Sequence, residues 1–112
     1  MPLSFDAVRE AALALPGAEE RPHHGIVSFR VRGRVFATAP DETRLRVMVD
    51  EARVLELVAR EPAVYEPVPW GRRVAAVAVD LTRAELEDVR ELLEEAWRRR
   101  VPPSWATPPS QS

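Results

Sequence analysis

The chain has 112 residues, the usual length of one domain, so we expect a single core formed by packing alone. It contains no cysteine, which excludes disulfide bonds, thiolate catalysis and cysteine-based zinc sites. Its formal net charge of -2 argues against a dedicated high-affinity nucleic-acid binder, because such domains are usually strongly basic as a whole.

A first helix is predicted near the N-terminus. Ser4 is a suitable N-cap, and Phe5 and Val8 begin an apolar face at helical spacing. Pro16 should end the helix region, because a proline moves the residue before it out of helical geometry. Residues 18–25 are polar and are predicted to form a connection without regular structure.

A β-meander is predicted next. Strands 26–31 and 34–39 are joined by a two-residue turn whose glycine supplies a positive φ, so Phe29 should face Phe36. The following strand, residues 44–49, alternates between apolar and mostly charged positions. The meander should therefore have one apolar face and one arginine-bearing face.

A short second helix should follow the meander. Asp50 can cap it, and it is predicted to continue to Arg60. Ala52, Leu55 and Val58 form one inner stripe that this helix can present to the core.

The remaining segments complete the sheet and close the fold. Residues 62–73 are rich in proline and predict an irregular loop or an edge strand, while residues 74–81 predict a buried strand. Thr82 and Glu85 match a capping box that opens a last helix, and Pro102 stops it.

This order of elements predicts an α+β fold: an antiparallel β-sheet meander with N- and C-terminal helices packed on one face, because hairpin-length connections cannot join parallel strands. The domain should span residues 1–101. Residues 102–112 are rich in proline and serine and predict a disordered tail, apart from a docking role for Trp105.

Several classes of function receive no support from the residues. No stretch approaches the ~20 apolar residues of a membrane helix, and no export signal is visible, so we expect a cytoplasmic protein without a membrane partner. No catalytic residues, metal ligands at suitable spacing or cofactor motif can be identified, so we do not expect an enzyme, a cofactor or a metal.

Short motifs follow one another in order between residues 4 and 100. They are Leu15-Pro16-Gly17, Glu19-Glu20, His24-Gly25, Phe29-Arg30-Val31 with Gly33, Phe36-Ala37-Thr38, Glu61-Pro62 with Tyr65, Pro69-Trp70-Gly71-Arg72-Arg73 and Leu92-Leu93-Glu94-Glu95-Ala96-Trp97. Together they resemble the MmcQ/YjbR-like family. The resemblance implies a CyaY-like α+β fold and a DNA-binding label that derives from a proposed double-wing shape.

Two positions depart from the family pattern. Arg34 stands where a lysine usually follows the hairpin glycine, and Val74-Ala75-Ala76 lacks the usual tryptophan. If that aromatic lines a pocket shared by the family, the pocket of this chain is different.

The first candidate surface is basic. Arginines on the meander face and at the hairpin tip offer bidentate contacts to phosphates, and a hairpin suits entry into a groove. The alternative is a solvated sheet face in a composition whose basic residues are all arginine. The predicted nucleic-acid-binding residues are Arg30, Arg32, Arg34, Arg44 and Arg46.

The second candidate lies in the polar segment before the meander. His24 and Glu20 match motif positions of the family, and a histidine near a carboxylate can serve acid-base or ligand-binding chemistry. The alternative is a structural histidine that bonds a backbone carbonyl at the turn, because no partner nucleophile can be identified.

The third candidate combines Trp70 with Arg72 and Arg73 in the proline-rich segment. Aromatic and guanidinium groups stack on bases or on ring-shaped ligands. The alternative is that Trp70 and Tyr65 cover the open end of a small core. Two hypotheses therefore lead: a DNA-binding or regulatory module that binds DNA weakly and in a salt-sensitive manner, or a module that binds a small molecule or protein in a groove near Trp70. A small enzyme ranks third, below both.

Overall fold

The computed structural model describes residues 3–106, which form an α+β domain. Its elements in chain order are α1 (Phe5–Leu13), β1 (Ala18–His23), β2 (Ile26–Val31), β3 (Arg34–Asp41), β4 (Arg44–Val47), α2 (Glu51–Arg60), β5 (Tyr65–Trp70), β6 (Arg73–Asp80), α3 (Leu86–Arg98) and α4 (Pro103–Ala106). The predicted fold class is confirmed. Within this part of the chain, no helix is both long and apolar enough to cross a membrane.

The six strands form one antiparallel sheet in the order β1-β2-β3-β4-β6-β5. Inward residues of the strands, such as Phe29, Leu45 and Val77, join inward residues of the helices, such as Val54 and Leu93, in one core cluster. The other face of the sheet carries no helix of residues 3–106, and charged strand residues such as Arg30 and Arg46 lie on it.

The prediction of a polar connection at residues 18–25 is wrong in part, because Ala18–His23 forms the edge strand β1. Its middle residues are all exposed and mostly charged, so no alternation of apolar residues reveals it. Its pairing with β2 defines the strand instead, with Glu19 opposite Arg30 and His23 opposite Ile26.

The pairing predicted inside the first hairpin is also wrong. Phe29 lies opposite Ala37 and not opposite Phe36, because the register shifts at a bulge between Phe29 and Arg30. The predicted turn is present, with Arg32 at φ 55° and Gly33 at φ 78°. Both aromatic rings are nevertheless fully buried in the core.

Two helix predictions need correction. Helix α2 buries Val54 and Leu57, while Leu55 of the predicted stripe is 53% exposed. Asp50 does cap this helix, since its carboxylate accepts a bond from the N–H of Arg53 at 2.9 Å.

The predicted capping box of α3 is absent. Glu85 occupies the N-cap position without a side-chain bond. The hydroxyl and the N–H of Thr82 donate instead to the carboxylate of Asp80, at 2.6 and 2.9 Å. Thr82 therefore stabilises the turn that leaves β6, before the helix begins.

Part of the segment that we expected to be disordered forms the helical turn α4. The ring of Trp105 lies against Gly17, where an added Cβ would stand 3.0 Å from its Cζ3 atom. The guanidinium of Arg32 lies 5.7 Å from the centre of the same ring. Residues 107–112 of the predicted tail lie outside the described residues.

Candidate nucleic-acid interface

The two long hairpins project from the same end of the sheet. Strands β3 and β6 both pair antiparallel with β4, so they run in the same direction. The turn before β3 and the turn before β6 must therefore lie at one edge. Arg32 and Gly33 form the first turn, and Gly71 and Arg72 form the second.

The geometry of the sheet fixes how far apart these tips are. Only β4 lies between β3 and β6, so the axes of the two hairpins are three strand spacings, about 14 Å, apart. Ala37, Val47 and Val77 form one row across the sheet. From that row the first hairpin extends about 10 Å to Arg34 and the second about 13 Å to Arg73. The two tips thus project by similar lengths.

The C-terminus of α3 lies at the same end and is tied to it by arginines. Nη1 of Arg99 donates to the carbonyl of Met48 at 2.7 Å, and Nε of Arg100 donates to the carbonyl of Val35 at 3.0 Å. Burial lowers the pKa of Arg100, and the charges of Arg99 and Arg34 lower it further. These contacts join the helix to both β3 and the end of β4.

We call this region the basic end. Its hairpin arginines are all exposed, and none of the ion pairs within residues 3–106 involves them. The sequence alone indicated only that the arginines at the C-terminus of α3 complement its helix dipole. In the structure they lie at the same end as the hairpin tips and extend the basic surface there. The basic end consists of Arg32, Arg34, Arg72, Arg73, Arg98, Arg99 and Arg100.

The opposite end of the sheet is acidic. Asp41 and Glu42 lie in the turn between β3 and β4, and Asp80 ends β6. Arg44 begins β4 at this end, with Asp41 and Asp80 as its register partners on either side. The structure therefore separates Arg44 from the hairpin arginines with which the sequence grouped it.

Two other predicted phosphate ligands lie on the helix-free face of the sheet. Nε of Arg30 donates to the hydroxyl of Ser28 at 3.1 Å, and its Nη2 lies 3.1 Å from Nδ1 of His23. Arg46 is exposed on the same face, opposite Thr38. The five predicted arginines thus fall into three groups, and only Arg32 and Arg34 reach a hairpin tip.

The residues predicted to bind a ligand also separate. His24 lies in the turn between β1 and β2, at the acidic end, with φ 50° and an edge-to-face contact to His23. Glu20 accepts a bond from Nε of Arg9 at 2.7 Å, which ties β1 to α1. Within the described residues, no group of three histidine or acidic side chains could hold a metal ion.

The structure keeps Trp70, Arg72 and Arg73 together at the β5–β6 hairpin. Trp70 is 80% exposed and borders an open groove of about 530 Å³. Tyr65, at the other end of β5, is buried in the core instead. The sequence did not indicate that the groove would also contain residues from the β4–α2 connection and from the end of α3. The groove is lined by Val49, Asp50, Glu51, Trp70, Arg73, Val74, Ala75 and Arg99.

Comparisons with known proteins agree with this architecture. Residues 13–99 match the family model YjbR. The chain belongs to the YjbR family. The resemblance indicated by the sequence motifs is therefore confirmed, while the roles of individual residues do not follow from membership alone.

This YjbR-family chain is also similar to individual relatives and to a solved structure. The uncharacterized proteins Rv2570 of Mycobacterium tuberculosis and Mb2600 of Mycobacterium bovis are each 40% identical over 53 residues, which cover 47% of this chain. The matched part spans 41% of those proteins. The crystal structure of Deinococcus radiodurans protein DR2400, with a DUF419 domain, has a TM-score of 0.72 at 26% identity and covers 87% of this chain and 77% of that one.

Proposed function

We propose that this YjbR-family domain binds the phosphate backbone of DNA with its basic end. One observation carries the proposal: two hairpins with arginines at their tips project from the same end of the sheet, on either side of β4. Guanidinium groups bind phosphate oxygens in a bidentate manner. The local cluster of arginines allows a domain of net charge -2 to bind DNA, since Asp41, Glu42 and Asp80 would face away from the duplex.

The spacing of the hairpins suits a duplex. Their separation of about 14 Å is close to the ≈12 Å width of the major groove, so two tips can contact the phosphates that border one groove. Contacts of this kind carry no base information, so binding should be largely independent of sequence. With four hairpin arginines, the affinity should be modest.

Salt dependence provides a direct measurement. If the four hairpin arginines neutralise four phosphates, the logarithm of the binding constant should fall against the logarithm of salt concentration with a slope of about -3.6. Between about 50 and 200 mM salt, that slope lowers the affinity about 150-fold. Fluorescence anisotropy of a labelled duplex measures it. An absence of binding at low salt would refute the proposal.

Paired variants distinguish the basic end from the sheet face. Replacing one arginine in each hairpin, R34Q with R73Q, should reduce the magnitude of the slope by about 2. The control R44Q with R46Q removes the same charge from positions away from the tips. If the control reduces the slope and the hairpin variant does not, DNA binds the sheet face and the proposed site is wrong.

A further inference from the structure

We infer that the groove beside Trp70 takes one unpaired base of a nucleic-acid strand whose phosphates lie on the basic end. The inference rests on the proposed function, because the arginines that hold the strand are the same. It goes further by adding a base contact to the phosphate contacts, made by a single strand or by an unpaired end that continues a duplex. We call this depression the Trp70 groove; the residues that line it are those given above.

The exposure of Trp70 is the first observation. Its side chain is 80% exposed, whereas Trp97 is 4% exposed and packs in the core. Trp70 is absent from the core cluster and from the apolar residues that pack against it. Packing therefore does not account for this indole, and its ring is accessible at a hairpin tip among arginines.

The rigidity of the hairpin is the second observation. Pro67 and Pro69 restrict the backbone on the strand that carries Trp70, since each proline fixes its own φ. A tight turn at Gly71 follows at once, with φ 65°. The ring is thus presented by a backbone with little conformational freedom to lose on binding, which favours a stacking platform.

The chemistry of the groove is the third observation, and it distinguishes a base from a phosphate. Asp50 and Glu51 line the groove together with Arg73 and Arg99, so its charges balance and a phosphate inside it would gain no net attraction. A base carries no charge, and its ring can lie on the indole and against the half-buried side chain of Val74. The phosphates of the same strand would lie outside, towards the hairpin arginines.

The preference for an unpaired base follows from its accessibility. Inside a duplex, both faces of a base are covered by its neighbours, and extruding one costs a few kcal/mol. An unpaired base can stack on Trp70 without that cost. Stacking on an aromatic side chain is tolerant of sequence, because every base has a π face.

The experiment compares two labelled single strands of about twelve nucleotides, one of oligothymidylate and one with the same phosphates but abasic sugars. The full chain should bind oligothymidylate about 5- to 150-fold more tightly than the abasic strand, the range that corresponds to stacking of one base. W70A should abolish this ratio and leave binding to the abasic strand unchanged. W70F should keep most of it, because a phenyl ring still stacks.

A control variant and the measurement of the salt slope distinguish base stacking on Trp70 from phosphate binding by the basic end. W105A is the control, because Trp105 lies outside the Trp70 groove, and it should retain the base-dependent ratio. If W70A leaves the ratio unchanged while R34Q with R73Q still lowers the salt slope, this inference fails and the proposed function stands. If thymidine monophosphate alone binds as tightly as the oligomer, the groove is a small-ligand site and the inference fails. If neither strand nor duplex binds at low salt, both proposals fail.

Discussion

Replacing Gly17 by alanine should destabilise the domain more than the same change at Gly33. Both glycines have positive φ, 73° and 78°, so alanine at either position adopts a strained backbone conformation. The surroundings differ. A Cβ at Gly17 would stand 3.0 Å from Cζ3 of Trp105, whereas nothing lies within 4 Å of a Cβ at Gly33.

The expected loss of unfolding free energy in G17A has two parts. The backbone strain of a left-handed alanine is about 1 kcal/mol, and both variants should show it. The contact with Trp105 adds a second destabilisation to G17A only. This second part cannot exceed the free energy with which the segment carrying Trp105 docks on the domain, because that segment can undock and so avoid the contact. Trp105 is 43% exposed, so its burial contributes at most about 3 kcal/mol, and the ordering of a terminal helical turn reduces that value. We expect about 1 kcal/mol for G33A, about 2 kcal/mol for G17A and about 1 kcal/mol for W105A.

A double-mutant cycle isolates the contact. Urea unfolding followed by circular dichroism gives the free energies of unfolding without relying on tryptophan fluorescence. In thermal unfolding, a loss of about 1 kcal/mol would lower the Tm of a domain of this size by about 4 °C. G17A with W105A should cost about 2 kcal/mol, less than the sum of the single variants. Equal costs for G17A and G33A, or additivity in the double variant, would refute the packing of Trp105 on Gly17.

Three further outcomes are expected. L57A should destabilise the domain by about 2–5 kcal/mol in urea unfolding and L55A by less than about 0.5 kcal/mol, because Leu57 is 4% exposed and Leu55 is 53% exposed; similar costs would contradict the orientation of α2. D50A should cost about 1 kcal/mol by the same assay, through loss of the N-cap of α2, and a cost near zero would contradict the cap. The pKa of Asp80 lies below its ordinary value of 3.8, first because of the hydroxyl of Thr82 and then because of its N–H. Because its folded pKa is lowered, the ionised carboxylate of Asp80 stabilises the fold above its unfolded pKa, and this stability is lost as the pH falls through the folded pKa. D80N should therefore reduce the decline of the urea midpoint below about pH 4, and an unchanged decline would contradict this role.

The sequence predicts the order of most elements, because most of them carry a local signal. Ser4 and Asp50 cap helices as expected, and a turn glycine defines the first hairpin. Alternation places Leu45 and Val47 in the core, where they are fully buried. The signal fails where pairing alone defines a strand, as in β1, whose exposed and mostly charged residues show no apolar alternation.

The candidate site was predicted less completely, because its residues are distant in the chain. A turn glycine next to arginines identifies Arg32 and Arg34 as hairpin residues, and the motif around Trp70 identifies the second hairpin. Nothing local shows that Arg99 and Arg100, after α3, bond to the carbonyls of Met48 and Val35 beside these tips.

The sequence by itself therefore determined the fold class, the caps and the chemistry available at each hairpin, because these depend on residues that are near neighbours in the chain. Only the tertiary structure decided that both hairpins project in one direction. That result follows from the position of β4 between β3 and β6, because β4 pairs with a strand from which helix α2 and strand β5 separate it in the chain. The same arrangement brings the arginines after α3 to the tips and leaves His24 at the opposite end.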